Sequence, residues 1–428
     1  MSLRITGIKG LRGEIKPPGD KSISHRALIL GALARGNTAI RGFLNTGDCL
    51  NTAGILTDLG VDISGIGTDR VVVMGKGLPG LKEAAGVLDA GNSATTARLM
   101  MGVLAGTGFM SVIDGDDSLR RRPMERVIEP LKQMGAHIHG YAGSSRLPVA
   151  IQGMPLTGID YVMPVASAQI KSSLLLAGLS ADGKTTVSEP HTSRDHTERM
   201  MEAMGALIKI KGTKIEITGG SELAGIEVDV PGDFSSAAFF ITAALLSPSS
   251  NLTITGVGMN SARIGLLDAY KAMGARITYD AMTIKNKEAR ATIHVQSSRL
   301  SAVKIGPSEI PRLIDEIPIL AVAATQAEGT TVIKGADELR LKESDRLAAV
   351  AENLKKMGAD IKETHDGLRI KGPSPLKGAA VSSQGDHRMA MALVVAGLIA
   401  GGETIIDDEK CIDVSFPDFD KEMKRVAV

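Results

Sequence analysis

Two cadences of apolar and polar residues alternate along the chain. The first is the end of an amphipathic helix, then a glycine, then a strand: "LTDLGVDI" near residue 60, "LKQMGAHI" near 135, "MEAMGALI" near 205, "YKAMGARI" near 274 and "LKKMGADI" near 358. The glycine suits a left-handed helix C-cap, and the β-branched residues after it suit a strand. The copies lie roughly 70–85 residues apart, a longer period than solenoid repeats show.

The second cadence interleaves with the first. It is an Ala/Leu-rich helix, a polar or Gly-containing turn, then a Thr/Ile strand. Its copies are "SHRALILGALARGNTAI", "NSATTARLMMGVLAGTGFMSVI", "AQIKSSLLLAGLSADGKTTV", "FSSAAFFITAALLSPSSNLTI", "EIPILAVAATQAEGTTVI" and "HRMAMALVVAGLIAGGETII". Helices apolar on nearly all sides must be buried. The glycine-ended helices carry Lys, Glu and Arg on one face and are expected outside. The pattern predicts strands plus one buried and one surface helix, six times over, in two domains of three units. "GIEVDVPGDFSSAA" falls midway, and its Pro231-Gly232 reads as a turn and a hinge.

With 428 residues the chain is long for one core and comfortable for two domains. Its formal charge of +1 and its lack of Trp argue against nucleic acid, so any anion site must be local. Cys49 and Cys411 form no CxxC pair or framework, which points to a reducing compartment, the cytoplasm. The N-terminal stretch has no apolar signal core. "MAMALVVAGLIAGG" is too short and too Gly-broken to span a bilayer, so a soluble protein without a membrane partner is expected.

The chemistry concentrates at the heads of the buried helices: "GDKSISHR", "DAGNSATTAR", "PVASAQIKSS", "VPGDFSSAA", "LIDEIP" and "QGDHRM". Helix N-termini present free N–H groups and partial positive charge, which favours anions. Ordinary N-capping explains Ser, Asn and Asp there. It does not explain Lys21, Arg26, Arg98 and Arg388, because charge stranded beside a core is expensive. Ser22 and Arg26 share a helix face, with Lys21 just before the first turn, an arrangement that can hold a phosphate although it is no P-loop.

Further along, Pro123 in "RRRPMERV" fits a first helical position, which sets Arg122 at the helix mouth. In "ELRLKESDRLAAV" the spacing of Lys342, Glu343 and Arg346 allows one helix side; a salt-bridged exposed helix would read the same way. Asp315 and Glu316 begin a buried helix, as caps or with Asp315 as a general base. "EPHTSRDHTERMM" offers His191, Arg194, Asp195, His196 and Arg199, but the spacing matches no zinc motif. Arg194 reads as an anion contact, and His191 and His196 as structural.

Taken in order, "GDKSISHRA", "DAGNSATTAR", "RRPMERV", "VASAQIKSSLLLAGL", "EPHTSRDHTE", "IDEIPILAVAAT", "LRLKESDR", "GDHRMAMA" and "SFPDF" closely resemble the 5-enolpyruvylshikimate-3-phosphate synthase family of enolpyruvyl transferases, across nearly the whole chain. The resemblance implies an α/β (α+β) fold of two similar domains. Each has three βαβαββ-type repeats around buried helices, an inside-out α/β barrel, six repeats in total. It implies a first domain of residues 1–20 plus 232–428 and a second of 21–231, with the active site in the cleft between them. It implies that the 5-hydroxyl of shikimate 3-phosphate attacks C2 of phosphoenolpyruvate while C3 is protonated, and that the tetrahedral intermediate then loses phosphate. No metal or organic cofactor is needed, and a monomer is expected.

Carried over by motif, Lys21, Ser22, Arg26, Ser167, Ala168, Gln169, Arg194, Asp315 and Lys342 are implied to bind shikimate 3-phosphate. Lys21, Asn92, Ala94, Arg122, Gln169, Arg346 and Arg388 are implied for phosphoenolpyruvate. Asp315 is the implied base at the 5-hydroxyl and Glu343 the implied proton donor to the methylene, with Lys21 also catalytic. Three positions depart from the family pattern. Ala168 stands where a second Ser is frequent, and Val414 where a Lys often precedes "FPD". Ala94 stands where many members have Gly, and its methyl is expected to crowd glyphosate, a longer molecule than phosphoenolpyruvate, and weaken that inhibitor. The sister transferase acting on UDP-N-acetylglucosamine usually has a mobile-loop Cys, absent from "DDSLRRRPMER" here. A polyanion-binding module or an RNA-end cyclase relative fits neither the balanced charge nor the paired Asp315 and Glu343.

Overall fold

Lys21–Leu33, Ala94–Ala105, Ala168–Gly178, Phe234–Leu246, Ile317–Gln326 and His387–Leu398 are helices with almost every residue buried. The computed structural model in which they are seen describes residues 2–428. A helix with apolar residues all round has no wet face, so it can only lie inside. Small residues let these helices pack closely. A Cβ added to Gly102 would lie 2.1 Å from the carbonyl oxygen of Ser173 on the neighbouring buried helix, so only glycine fits.

The glycine-ended helices cover the sheets. Gly60, Gly135, Gly205, Gly274 and Gly358 all have φ between +84° and +99°. In each case the residue after the glycine donates its N–H to a carbonyl five residues back, as Ala136 does to Leu131 and Ala359 to Leu354. The glycine N–H itself reaches three residues back. Both bonds satisfy carbonyls that the helix end would otherwise orphan, which is why this signature recurs.

The chain divides into two compact units, Met1–Pro18 with Pro231–Thr283 and Ala289–Val428, and Gly19–Val230 with Ile284–Glu288. Six sheets of mixed direction accompany the six buried helices among the described residues. In four sheets the strands flanking a buried helix pair in parallel: 88–89 with 110–114, 160–162 with 184–188, 304–305 with 329–333 and 380–381 with 403–406. In the other two the parallel partners are exchanged. Strand Arg12–Ile15 precedes the Lys21 helix but pairs with Asn251–Gly258, while Glu227–Asp229 precedes the Phe234 helix but pairs with Ala34–Arg41.

The mixed α/β class is as expected, but no sheet closes on itself, so "barrel" describes no sheet here. Pro231-Gly232 is also not a turn. Gly232 forms a parallel bridge to Val257, donating to Gly256 O at 2.8 Å and accepting from Gly258 N at 2.8 Å. A Cβ there would press on Pro17, so glycine serves close approach rather than turning. "SFPDF" is a core anchor: Phe416 and Phe419 pack against Phe240 with ring centroids 5.6 and 5.3 Å away. Among the described residues no helix is long and apolar enough to cross a membrane.

Candidate active site

In the unit Gly19–Val230, Asp20 caps the Lys21 helix by accepting from Ile23 N at 2.9 Å. Lys21, at the first helical position, pairs with Asp48 at 3.0 Å. One turn on, Arg26 is buried. It donates to Thr197 Oγ1 at 2.6 Å, Ser172 Oγ at 2.8 Å and the carbonyl of Ser22 at 3.0 Å, all neutral oxygens. Burial, with the nearby Arg194 charge adding to it, pulls the Arg26 guanidinium down to about 10. Two cations placed together with only neutral hydrogen-bond acceptors on one of them make a site that an anion would stabilise.

Ser93 caps the Ala94 helix by accepting from Thr96 N. Before it, Asn92 accepts from Arg122 Nη2 at 2.6 Å and donates to Asp116 at 2.6 Å. Arg122 is buried, but not at the first turn of a helix. The helix spans Glu125–Gln133, because Met124 N bonds Ser145 O and the carbonyl of Pro123 accepts from Arg98 at 2.8 Å, which delays its start past Pro123. Ala94 is the first helical residue and is buried. The hydroxyls of His25's partner Thr52, of Thr96 and of Ser93 form a buried chain at 2.7 Å per step that ties the Lys21 helix to the Ala94 helix.

At the Ala168 helix, Ser167 is the cap and spends its hydroxyl on Ile170 N, while Ala168 offers none. Gln169 donates to Thr95 at 2.9 Å and accepts from Arg98. Beneath lies a feature the motifs did not mark: Lys171, buried, is 2.9 Å from Glu189 and 2.7 Å from Glu198. Burial opposes its charge, but the two carboxylates outweigh it and hold the ammonium above its ordinary range. Nearby, His196 is buried and bonded to Glu288 at 2.7 Å, whereas His191 is exposed, so the structural role fits His196 and not His191.

In the other unit, Asp315 and Glu316 form a 3₁₀ turn before the Ile317 helix. Glu316 makes no capping bond, and Asp315 faces guanidinium groups instead: Arg346 at 3.2 Å, Arg263 at 3.7 Å and Arg388 at 3.8 Å. Arg346 is almost wholly buried, contacting Asp386 at 2.7 Å and Glu343 at 2.7 Å as well. Burial opposes its charge, yet the three carboxylates hold its pKa above the ordinary arginine value. Asp386 caps the His387 helix through Arg388 N at 2.9 Å. Glu316 accepts from Ser235, and burial raises its carboxyl despite Arg263 and Arg388.

Lys342 and Glu343 do not share a helix with Arg346. The helix is Arg346–Lys356, capped by Asp345, and the two residues before it lie in a half-buried loop. That loop still folds Glu343 back onto Arg346, and burial of Arg346 excludes a solvated ion-pair helix. Arg263 was not marked by any motif. It bridges Asp233, the cap of the Phe234 helix, at 3.2 Å and Ser235 at 2.6 Å. This unit therefore assembles Asp315, Glu343, Arg346 and Arg388 at one place, with Arg263 added.

The model of the EPSP synthase (3-phosphoshikimate 1-carboxyvinyltransferase) family matches residues 5–423. A 3-phosphoshikimate 1-carboxyvinyltransferase of Desulforudis audaxviator is 55% identical over 419 residues, 98% of each chain. One of Bacillus cereus is 51% identical over 418 residues, 98% of this chain and 97% of that one. A solved structure of EPSP synthase from Acinetobacter baumannii superposes with a TM-score of 0.89 at 42% identity, covering 100% of this chain and 98% of that one. The enolpyruvyl transferase NikO of Streptomyces tendae, at 19% identity and a TM-score of 0.81, shares the fold.

Proposed function

The chain belongs to the EPSP synthase family, and from that membership we infer how its residues transfer the enolpyruvyl group of phosphoenolpyruvate to shikimate 3-phosphate in aromatic amino acid biosynthesis. The observation that carries this reading is the meeting of Arg346 and Arg388 with Asp315, a carboxylate placed among anion-binding groups. Substrates bearing phosphates and carboxylates repel one another, so cations must offset that repulsion before bond formation.

In this reading Asp315 accepts the 5-hydroxyl proton as the oxygen attacks C2 of phosphoenolpyruvate. The π electrons of the C2–C3 bond take a proton from Glu343 at C3. The tetrahedral intermediate then expels phosphate with the C2–O electron pair and returns a C3 proton, which restores the double bond. Arg346 and Arg388, with Asn92, Arg122, Gln169 and Lys21, hold phosphoenolpyruvate. Lys21, Ser22, Arg26, Ser167, Gln169, Arg194 and Lys342 hold shikimate 3-phosphate. Glu343 links acid and binding roles: once protonated it no longer pairs with Arg346 Nη2, and that N–H becomes available to a substrate anion.

The finer architecture follows the same reading. Each buried helix with its sheet is one of six repeats, with the strand exchange of Arg12–Ile15 and Glu227–Asp229 marking the passages between domains. Two buried cysteines, neither in a disulfide, fit a reducing cytoplasm, and the enzyme acts as a monomer. With Ala94 buried at the helix head, glyphosate is a weakened inhibitor. The test is phosphate release by the purified protein from phosphoenolpyruvate with shikimate 3-phosphate, against UDP-N-acetylglucosamine as acceptor. Turnover with the first acceptor alone is expected; turnover with the second overturns the assignment.

A further inference from the structure

Lys171 stands out as a cation buried inside an apolar helix, far from any role the family motifs give it. An ammonium has three donors, and three acceptors face this one: Glu189 at 2.9 Å, Glu198 at 2.7 Å and the carbonyl of Ser193 at 3.4 Å. Glu189 also takes the Ser193 N–H at 3.1 Å and the Ser193 hydroxyl at 2.6 Å. Ser193 is thereby gripped at its N–H, its carbonyl and its side chain, and the next residue is Arg194. On the other side Glu198 follows Thr197, the hydroxyl that meets both Arg26 and Ser172. Ser172 in turn follows Lys171 and bonds Arg26.

We propose that Lys171, through Glu189 and Ser193 on one side and Glu198 on the other, is a positioning residue that sets Arg194 and Arg26 for the anionic groups of shikimate 3-phosphate. The proposal rests on the functional reading above. The physical reason is that two neighbouring guanidinium groups repel, and a fixed backbone at Ser193 helps keep them converged before the ligand arrives. Buried charges are costly unless paired and hydrogen-bonded. Lys171 and Glu189 meet that condition, while Glu198 pairs with Lys171 through one oxygen and burial raises its carboxyl. A hydrophobic cluster would fill the same space, but it could not grip the Ser193 N–H and carbonyl together.

The test is built to separate positioning from stability. Lys171→Met alone leaves two carboxylates buried and is expected to destabilise the chain. Lys171→Met with Glu198→Gln removes one of the two carboxylates along with the cation at similar volume, so its melting temperature should lie above that of Lys171→Met. Lys171's bonds to the Ser193 carbonyl and to Glu189, which anchor the Glu189–Ser193 contact, are still lost, so KM for shikimate 3-phosphate should rise about tenfold or more while KM for phosphoenolpyruvate stays within about twofold. A folded double variant with unchanged KM for shikimate 3-phosphate overturns the proposal. So does an equal rise in both KM values. Ser193→Ala removes one hydrogen bond to a carboxylate, keeps every charge, and provides the reading if the double variant does not fold. It is expected to raise KM for shikimate 3-phosphate about threefold or more, and no change overturns the proposal. Wild-type turnover in the same assay reports separately on the functional reading.

Discussion

Replacing Arg346 by Met keeps the side chain's length and most of its volume but removes the charge that three carboxylates share. Asp386 is fully buried and Asp315 nearly so, while Glu343 is open enough to water to be discounted. Removing one partner of a buried ion pair costs about 3–5 kcal/mol, because it leaves an uncompensated buried charge. Asp386 would keep Arg388 N, Met389 N and Ser344 Oγ, so one such loss is the appropriate scale for the whole change. In a unit of roughly 200 residues each kcal/mol moves the midpoint by about 2–4 °C, so Tm should fall by about 6–20 °C at neutral pH. The sign with pH also follows. Carboxylates left without the guanidinium bind protons more readily in the folded variant than in its unfolded chain, so the variant's stability is lost as pH rises and regained as pH falls. The Tm gap to wild type, measured by calorimetry from about pH 8 to about pH 5, should therefore narrow on acidification. A gap under about 2 °C at neutral pH, or one that widens with acid, would refute the reasoning.

Ala94→Gly removes the methyl at the head of the Ala94 helix and should strengthen glyphosate inhibition, read as the inhibition constant against phosphoenolpyruvate; unchanged potency contradicts the steric account. Burial raises the Glu316 carboxyl, so the folded chain favours its neutral form, and that contribution is complete at low pH and lost as pH climbs through the raised value. Glu316→Gln stays neutral throughout, so its Tm relative to wild type should improve as pH rises from about 5 to about 8, and a decline would sink the assignment. At Gly205, where φ is +94° and no atom would meet an added Cβ, Ala should cost about 1–2 kcal/mol of unfolding free energy from backbone strain alone. At Gly102 the 2.1 Å approach to Ser173 O makes Ala cost more, and denaturant melts of the two variants check that order.

What one dimension displayed and what it hid divide along sequence distance. The glycine caps were legible because every bond in them joins residues within five positions. The buried helices were legible because their apolar residues leave no alternative face. Arg346 and Asp386 lie 40 residues apart and Arg26 and Thr197 lie 171 apart, and no local pattern couples them. Lys171 did carry a signal, a lone cation within an apolar helix, and the motif around it drew attention to Ser167 and Gln169 instead. Arg263 sits in "MNSARIG", where nothing in the string marks it. Local rules misled where tertiary bonds competed: Pro123 fits a helix start, but its carbonyl serves Arg98, and the Lys342–Glu343 spacing fits a helix that Asp345 caps only from Arg346.

Asp315 is the hub of the account, since a base must sit among the cations that gather the substrates. Asp315→Asn preserves shape and removes the proton acceptor. Single-turnover phosphate release should then fall by about 10²–10⁴, the span general-base catalysis contributes, with shikimate 3-phosphate still binding. Release within about threefold of wild type would show that another group takes the hydroxyl proton.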